Sequence, residues 1–400
     1  MKKWKFVLLS LAVFIGLSVA YYSITLADTV QTVSVKKFGA KGDGKTDDTR
    51  AIQNAIDSSK GKTIIFPKGT YAIREITLRD NTSLKGEQAV IQAGQEGKRL
   101  VNLYGRNLTI ADLTFDGKEQ VINGFFIHKG AQDIKITNTT IQNFSTSNPN
   151  LDNHPIPVGI RIVGETKNIL IDNTTVKNIY SKVRVKSSGD HYVSRGIFLM
   201  PYTVAKPEKA PENIVIQNSV FDGIGPKDDG DGINVQSFKQ KVTITIQNNR
   251  FENNHKRALK IQDPGAIIKG NTIINSFNGN NHYDTYNIPD NYDMYAAISV
   301  YANDVIVEDN DITGIGSFSA AIDIDSAQNV TINNNRIENG IDSRYNLNPL
   351  IRINTVYNRT KAISGLTITN NTLKNGSNGI YFSSPVRNVT VSNNTLVNSK

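Results

Sequence analysis

An eleven-residue segment that recurs along the 400-residue chain constrains its fold more than any other feature. The copy beginning at Asn168 reads NILIDNTTVKN, and the copy beginning at Asn388 reads NVTVSNNTLVN. Apolar residues alternate within each copy, and a period of two indicates β-strands with one face turned inward. Ten copies start 23 to 45 residues apart, at positions 107, 133, 168, 213, 243, 266, 304, 329, 365 and 388. A short unit with a constant core and variable loops predicts an all-β solenoid, a parallel β-helix of about ten to twelve coils.

Asparagine, which occurs 46 times, is explained by the same repeat. It recurs near the turn of each unit, where it tolerates left-handed backbone geometry and can hydrogen-bond to neighbouring coils. We expect one turn column made of Asn138, Asn173, Asn218, Asn248, Asn271, Asn310, Asn334, Asn371 and Asn394.

The N-terminal segment has the pattern of an export signal. Three lysines among residues 1–5 precede the apolar run 6–20, and small residues allow cleavage after Ala20 or Ala27. We interpret residues 1–27 as a signal peptide, with an uncleaved anchor as the alternative, and expect a secreted or cell-surface protein that is not an integral membrane protein once the signal is removed. The chain has no cysteine, so neither disulfides nor a lipoprotein anchor is expected.

Residues 28–62 are interpreted as an N-terminal cap that includes a helix, and residues 63–400 as the β-helix domain. Thr46 or Asp47 is the expected N-cap of the helix. Its apolar stripe comprises Ala51, Ile52, Ala55 and Ile56.

Two motifs of this region carry a family resemblance. The stretch FGAKGDGKTDDTRAIQ from Phe38, with IFPKGTY from Ile65, closely resembles the N-terminal signature of the pectate lyase-like superfamily. That superfamily includes polysaccharide lyases, polygalacturonase-like hydrolases and phage tailspikes. The resemblance implies a right-handed parallel β-helix over residues 33–400 and an activity on polysaccharides.

A second strand in each unit predicts a surface for chemistry. Aligned tetrads such as GINV from Gly232 and ALKI from Ala258 place their second and fourth residues inward, so the other positions point outward in stacked columns. One column then reads Phe126, Arg161, Phe198, Asn234, Lys260, Ser299, Asp323, Arg352 and Tyr381. Two residues further on, it includes Tyr301, Asp325 and Asn354, and one residue before the tetrads stand Arg195, Asp231 and Arg257.

Asp231, Arg257 and Lys260 form the predicted centre of this face. Eliminative cleavage of a uronic acid needs a cation for the carboxylate and a base for the C5 proton, and Arg257, Lys260 or His255 suits these roles. Epimerisation begins with the same proton abstraction. Substrate contacts are expected from Arg161, Arg195, Asn234, Tyr301 and Arg352.

Three alternatives stay open on this evidence. Hydrolysis requires a carboxylate pair about 5 to 9.5 Å apart, and Asp323 with Asp325 fits that spacing, as does Asp229 with Asp231. Asp228 and Asp229 could hold Ca²⁺. Salt bridges from Asp231 to Arg257, or from Asp323 to the arginine of the next coil, would instead stabilise the stack without catalysis.

The charge balance indicates the class of partner. Forty-five Lys and Arg against 36 Asp and Glu give a net charge of +9, which favours an acidic polymer. Basic residues alternate with acids and no nucleic-acid motif is present, so we expect an acidic polysaccharide and no nucleic acid. A secreted enzyme that cleaves uronic-acid chains, with elimination favoured over hydrolysis, is the predicted function. A non-catalytic glycan-binding or surface protein is the alternative, and the oligomeric state stays open.

Overall fold

The structure, a computed structural model, describes residues 31–186, 191–206, 208–225, 229–274, 295–315, 319–339, 349–355 and 362–400. The predicted signal segment lies outside these residues. Within them the chain forms one α-helix, α1 (Thr49–Ser58), a 3-10 helix at Val35–Phe38, and many short strands. No helix in this part of the chain is both long and apolar enough to cross a membrane.

The first third of the strands are β1 (Thr32–Ser34), β2 (Asp43–Asp47), β3 (Thr63–Phe66), β4 (Gly69–Ile73), β5 (Ile76–Leu78), β6 (Ser83–Ala93), β7 (Gly97–Leu103), β8 (Arg106–Asp116), β9 (Val121–Ile127), β10 (Gln132–Thr137), β11 (Thr140–Phe144) and β12 (Val158–Ile162). The next are β13 (Lys167–Asp172), β14 (Thr175–Ile179), β15 (Arg184–Val185), β16 (His191–Leu199), β17 (Glu212–Gln217), β18 (Val220–Ile224), β19 (Asp229–Val235), β20 (Ile244–Gln247), β21 (Arg250–Glu252), β22 (Arg257–Ile261), β23 (Ala266–Lys269) and β24 (Thr272–Ile274). The last are β25 (Ile298–Val300), β26 (Ile306–Glu308), β27 (Asp311–Ile315), β28 (Ile322–Asp325), β29 (Thr331–Asn333), β30 (Arg336–Asn339), β31 (Ile351–Asn354), β32 (Ile363–Thr369), β33 (Thr372–Lys374), β34 (Ile380–Phe382), β35 (Val386–Ser392) and β36 (Thr395–Val397).

These strands stack coil upon coil in three parallel faces, which confirms the predicted all-β solenoid. Two faces share the long strands β6 and β8 and continue through alternate strands to β35 and β36. The third face, here called the third sheet, runs in the order β5, β7, β9, β12, β16, β19, β22, β25, β28, β31 and β34, with parallel pairing throughout. Its eleven stacked strands agree with the ten to twelve coils expected from the repeat.

The core follows from the alternation of apolar residues. One isoleucine column is buried from coil to coil, and the aromatic rings of Phe221 and Phe251 stack at 4.8 Å between successive coils. Burying each such side chain contributes roughly 1.5 to 3 kcal/mol, so the interior stabilises the stack along its whole length.

The asparagines form two columns, where the sequence suggested one. Asn138, Asn173, Asn218, Asn248 and Asn334 adopt left-handed backbone conformations, with φ between 45° and 54°. The others belong to an asparagine ladder that is buried except at its last member, Asn394. The ladder is made of Asn249, Asn271, Asn310, Asn335, Asn371 and Asn394.

Each member of the ladder donates to the next. The backbone N and Nδ2 of Asn271, for example, both donate to Oδ1 of Asn310, at 2.9 and 3.0 Å. The two columns occupy adjacent positions in the chain, which is why the repeat pattern merged them.

The helix at the N-terminus is present, but its expected N-cap is wrong. Asp48, rather than Thr46 or Asp47, precedes α1, and its side chain makes no capping hydrogen bond to the helix. Its carboxylate instead accepts hydrogen bonds from the backbone N–H groups of Lys41 and Gly42, at 2.6 and 2.8 Å. The Asp48 side chain therefore binds the glycine-rich loop instead of capping the helix.

Candidate functional site

The register of the third sheet confirms the columns expected from the sequence. Arg195 pairs with Asp231, and Asp231 with Arg257. Two residues beyond the start of each tetrad, the pairing runs through Phe126, Arg161, Phe198, Asn234, Lys260, Ser299, Asp323, Arg352 and Tyr381. The chemistry-bearing residues thus lie on one face, with neighbours about 4.8 Å apart.

These side chains are more buried than an open strand surface implies. Asp231, Asn234 and Asp323 have no exposed surface, and Arg195 and Arg257 are also buried. The outward-facing positions of this face are therefore largely covered. Charged side chains of both signs pair with one another across neighbouring coils of this face.

A cluster of two carboxylates and several cations occupies the centre of the face. Arg195 Nη2 lies 2.7 Å from Asp229 Oδ2, and Arg195 Nε lies 3.2 Å from Asp231 Oδ2. Lys256 Nζ lies 3.0 Å from Asp229 Oδ1, and Arg257 Nη1 lies 3.3 Å from Asp231 Oδ1. We call these residues, with Lys260, the central cluster.

The cations of this cluster stabilise the ionised form of its carboxylates. Burial works to raise the pKa of Asp229, but Arg195, Lys256 and Lys260 hold that pKa well below its usual range. Asn234 Nδ2 adds a hydrogen bond to Asp231 Oδ2 at 3.0 Å. Both acids are therefore fixed by their cationic and amide neighbours.

Arg257 is held by groups from the following coil. Its Nε donates to Ser299 Oγ at 3.1 Å, and its guanidinium lies 4.8 Å from the centre of the Tyr295 ring. The side chain of Tyr301 also hydrogen-bonds to Arg257. Burial raises the pKa of Tyr301 to about 12, so this phenol keeps its proton at neutral pH.

Lys260 differs from the other cations. Burial and repulsion by Arg257 lower the pKa of Lys260 to about 8, against the attraction of Asp231 and Asp229. Among the described residues no carboxylate lies within salt-bridge distance of its ammonium. At mildly alkaline pH an appreciable fraction of this amine is neutral and can accept a proton.

The proposed hydrolytic pair lies further along the face and is not free. Asp323 accepts from Arg352 Nε at 2.9 Å and Nη2 at 3.2 Å, and from Asn354 Nδ2 at 2.8 Å. Asp325 is buried and accepts from Ser326 Oγ at 2.6 Å. Both oxygens of Asp323 are thus already engaged by a bidentate arginine, and this geometry favours the structural role foreseen for Asp323.

Other predicted residues occupy separate places. His255 is buried, and its backbone N–H donates to Ile224 O at 3.1 Å. Arg161 lies in an earlier coil, where its Nη2 donates to the carbonyl of Met200 at 3.1 Å. Burial lowers the pKa of Arg161 to about 9, which leaves it charged at neutral pH.

The calcium prediction concerns Asp228, outside the described residues, and Asp229. The oxygens of Asp229 already face Arg195 and Lys256, so this carboxylate does not fit a cation site. Among the described residues no three His, Asp or Glu side chains are grouped to hold a metal.

Sequence reasoning gave no role to three participants: Lys256, and Ser299 and Asn354, which it placed only as members of the columns. Lys256 lies one residue before strand β22, outside the column positions from which the site was predicted. Tyr295 lies outside the aligned strand positions, yet its hydroxyl accepts a hydrogen bond from Arg352 Nη2 at 3.1 Å.

Two family models match the chain. One, described as rhamnogalacturonase A/epimerase, pectate lyase-like, matches residues 32–283. The other, described as a right-handed β-helix region, matches residues 280–400. Together they confirm the handedness and the superfamily resemblance expected from the N-terminal motifs.

Curated relatives differ in what their names describe. Plasmin and fibronectin-binding protein A of Streptococcus pneumoniae is 25% identical over 92% of this chain and 57% of its own length. Alginate lyase 7 of Azotobacter vinelandii is 31% identical over 32% of this chain and 19% of its own length. The chain thus spans little more than half of the first relative and a fifth of the second.

Solved structures agree on the fold. The surface adhesin PfbA of Streptococcus pneumoniae superposes with a TM-score of 0.69, at 22% identity, over 92% of both chains. The A-module of mannuronan C-5 epimerase AlgE6 of Azotobacter vinelandii gives 0.62, at 19% identity, over 92% of this chain and 98% of the module.

Proposed function

This chain belongs to the rhamnogalacturonase A/epimerase, pectate lyase-like family, and on that premise we propose that it cleaves an extracellular polysaccharide rich in uronic acids by β-elimination. The observation that carries the proposal is the excess of cations in the central cluster. Four cationic side chains surround two carboxylates there, so the cluster attracts one or two further negative charges.

The chemistry assigns separate roles to the cluster's residues. Arg257 binds the uronate carboxylate and stabilises the charge that develops on it when the C5 proton leaves. Asp231 and Ser299 hold the guanidinium in place for that contact. Asp231 is a positioning residue in this scheme, because it is fully buried.

Lys260 is the proposed base. Its neutral amine takes the proton from C5, and the electron pair of that C–H bond forms the C4–C5 double bond as the bond from C4 to the glycosidic oxygen breaks. The departing oxygen takes a proton from the Tyr301 hydroxyl or from water. Return of a proton to C5 from the opposite side, before the bond to C4 breaks, would give epimerisation instead.

A non-catalytic role is the second candidate. Both ion pairs named in the salt-bridge alternative are present, from Asp231 to Arg257 and from Asp323 to Arg352. A relative that matches 92% of this chain is named for binding plasmin and fibronectin. A stable charged face that binds without cleaving is consistent with both observations.

Incubation of the secreted protein with a panel of uronic-acid polymers separates these functions. Ultraviolet absorbance from unsaturated ends, rising together with reducing ends, supports a lyase. Reducing ends alone support a hydrolase, a changed uronate composition without new ends supports an epimerase, and no change on any polymer supports the binding role.

Matched lysine variants locate the chemistry. Lys260→Met should abolish cleavage while leaving the fold intact. Lys269→Met is the control, because Lys269 lies on another face, exposed and paired with Glu308 at 3.0 Å. Equal loss of activity in both variants would contradict the assignment of the base.

The same proposal includes an extracellular location. The surface-adhesin relative and the apolar N-terminal segment support it. Detection of the chain in the culture medium or on the cell surface, with sequencing of its N-terminus, tests both export and the cleavage position.

A further inference from the structure

A second cluster on the third sheet, several coils before Lys260, is accounted for neither by the central cluster nor by the core. Three aromatic side chains, Tyr104, Phe126 and Tyr202, lie near one another with the ring of His128 among them. The His128 ring stacks on Tyr104 at 3.7 Å and lies 4.5 Å from Phe126, whose centre is 6.3 Å from that of Tyr202. We call this group, with Arg79, Arg99 and Arg161, the aromatic platform.

Two rings of the platform face solvent. Tyr104 is 48% exposed and Tyr202 is 63% exposed, whereas Phe126 and His128 are buried beneath them. Large exposed rings over a rigid aromatic floor are costly for a surface that binds nothing, and they match the apolar faces of sugar rings.

Three arginines accompany these rings. Arg99 lies 4.0 Å from the centre of Phe126, and Arg79 lies 5.9 Å from that of Tyr104. Arg161 lies 4.3 Å from the neighbouring Phe198 ring and donates to two backbone carbonyls. Within the described part of the chain no carboxylate forms a salt bridge with any of the three, in contrast to Arg195, Arg257 and Arg352.

A cavity of about 360 Å³ opens at the platform. Its lining includes Arg99, Phe126, Arg161, Tyr202 and His154. Among the described residues of the lining the one carboxylate is Asp152, and it pairs with Lys98 Nζ at 3.2 Å. This volume lies in the range of pockets that hold small ligands or single groups of a larger one.

The floor of the platform is rigid and uncharged. Burial, with repulsion by Arg99, lowers the pKa of His128 to about 4, so the ring is neutral at physiological pH. His128 Nε2 is 2.8 Å from Asn102 Oδ1, and Asn102 in turn donates to Glu75. A neutral, anchored ring leaves the positive charge of the site to the arginines alone.

We propose that the aromatic platform is a separate binding site for acidic sugar residues. These residues belong to the same polysaccharide molecule that reaches the central cluster. The ligand class rests on the proposed function, since a uronate residue combines a ring face with a carboxylate. Phe126 and Lys260 are four strand steps apart in the register, roughly 19 Å at 4.8 Å per step. Only oligosaccharides longer than this span contact both places.

The test compares Tyr202→Ala and Arg99→Gln with two control variants. Tyr381→Ala removes an exposed tyrosine from the same face near its other end, and Arg106→Gln removes an arginine outside the platform. Calorimetry with oligogalacturonates and oligomannuronates, shorter and longer than the span, measures binding by the full chain. A neutral oligosaccharide of the longer length is the chemical control.

We expect each platform variant to weaken binding of the long acidic oligosaccharides roughly tenfold, and to leave binding of the short ones at the central cluster unchanged. The control variants should bind like the wild type, and the neutral oligosaccharide should bind weakly to all. Wild-type affinity of both platform variants for the long ligands would overturn the inference, as would equal weakening for short and long ligands.

The two proposals fail in different ways. If the wild type binds long uronates through Tyr202 and Arg99 but never cleaves them, the lyase proposal fails and the platform stands. If the wild type cleaves them and the platform variants keep wild-type KM on every length, the platform fails and the lyase proposal stands.

Discussion

The pH dependence of cleavage is the sharpest test of Lys260. Burial and the adjacent Arg257 lower the pKa of Lys260 to about 8, from an ordinary value of 10.5. A base with this pKa is about 1% neutral at pH 6, half neutral at pH 8 and about 90% neutral at pH 9. If Lys260 takes the C5 proton, kcat/KM on a uronic-acid polymer should therefore rise about ninety-fold from pH 6 to pH 9 and then level off.

Two other groups of the reacting complex keep their charge state through this window. Uronate carboxylates are ionised throughout it, and the pKa of Tyr301 is raised to about 12. An unperturbed histidine titrates near pH 6.5, so His255→Gln serves as the matched variant. The assay is the initial rate of ultraviolet absorbance from unsaturated ends, measured at low substrate concentration in buffers of constant ionic strength.

Two further measurements complete the design. Removal of the neighbouring positive charge in Arg257→Gln should move the inflection above pH 8, although the rate itself falls because the uronate loses its cation. A profile with its inflection near pH 6.5 that disappears in His255→Gln would refute the role of Lys260 and assign the base to His255. A flat profile in an active enzyme would refute both.

The remaining predictions concern stability, and equilibrium chemical denaturation measures each of them. Asp323→Ala removes a fully buried carboxylate from its pair with the partly buried Arg352 and should lower the free energy of unfolding by about 3 kcal/mol. Asp311→Ala breaks an exposed pair and should lower it by less than about 1 kcal/mol; similar losses in the two variants would contradict the assigned burial. Asn310→Ala interrupts the buried ladder and should cost about 3 kcal/mol, while Asn334→Ala, at an exposed left-handed turn, should cost about 1 kcal/mol. The pKa of His128 is about 4 in the folded chain, below its unfolded value near 6.5, so its contribution to the free energy of unfolding is complete above pH 6.5 and is lost as pH falls toward 4, by about 3 kcal/mol. His128→Asn should flatten this dependence of stability on pH. An unchanged slope in that variant would show that His128 is not its source.

The stacking of the coils could be read from the sequence because it depends on short-range periodicity. Alternating apolar residues and a recurring turn define both the strand and the coil, so the columns from Phe126 to Tyr381 follow by counting. The position of the third sheet's charged residues was predicted for the same reason.

Burial could not be read in this way, and the two ion pairs were foreseen only as one alternative among several. Whether Asp323 is a free acid depends on the arginine one coil later and on the side chain of Asn354, which a single strand does not reveal. The N-cap was also misjudged, because Asp48 serves a preceding loop through contacts that residue preferences do not encode. The aromatic platform was missed because its two exposed rings, Tyr104 and Tyr202, lie outside the aligned positions, although Phe126 is in the column.

The buried ladder has an evolutionary consequence. Successive members are separated by 22 to 39 residues along the chain, yet the hydrogen bonds between them stay near 3.0 Å. A coil therefore presents the same connection to its neighbours whatever the length of its loops. Duplication or loss of a whole coil, between equivalent asparagines, would lengthen or shorten the protein without redesigning what remains. Proteins built on this plan can adjust the length of glycan that they span one coil at a time.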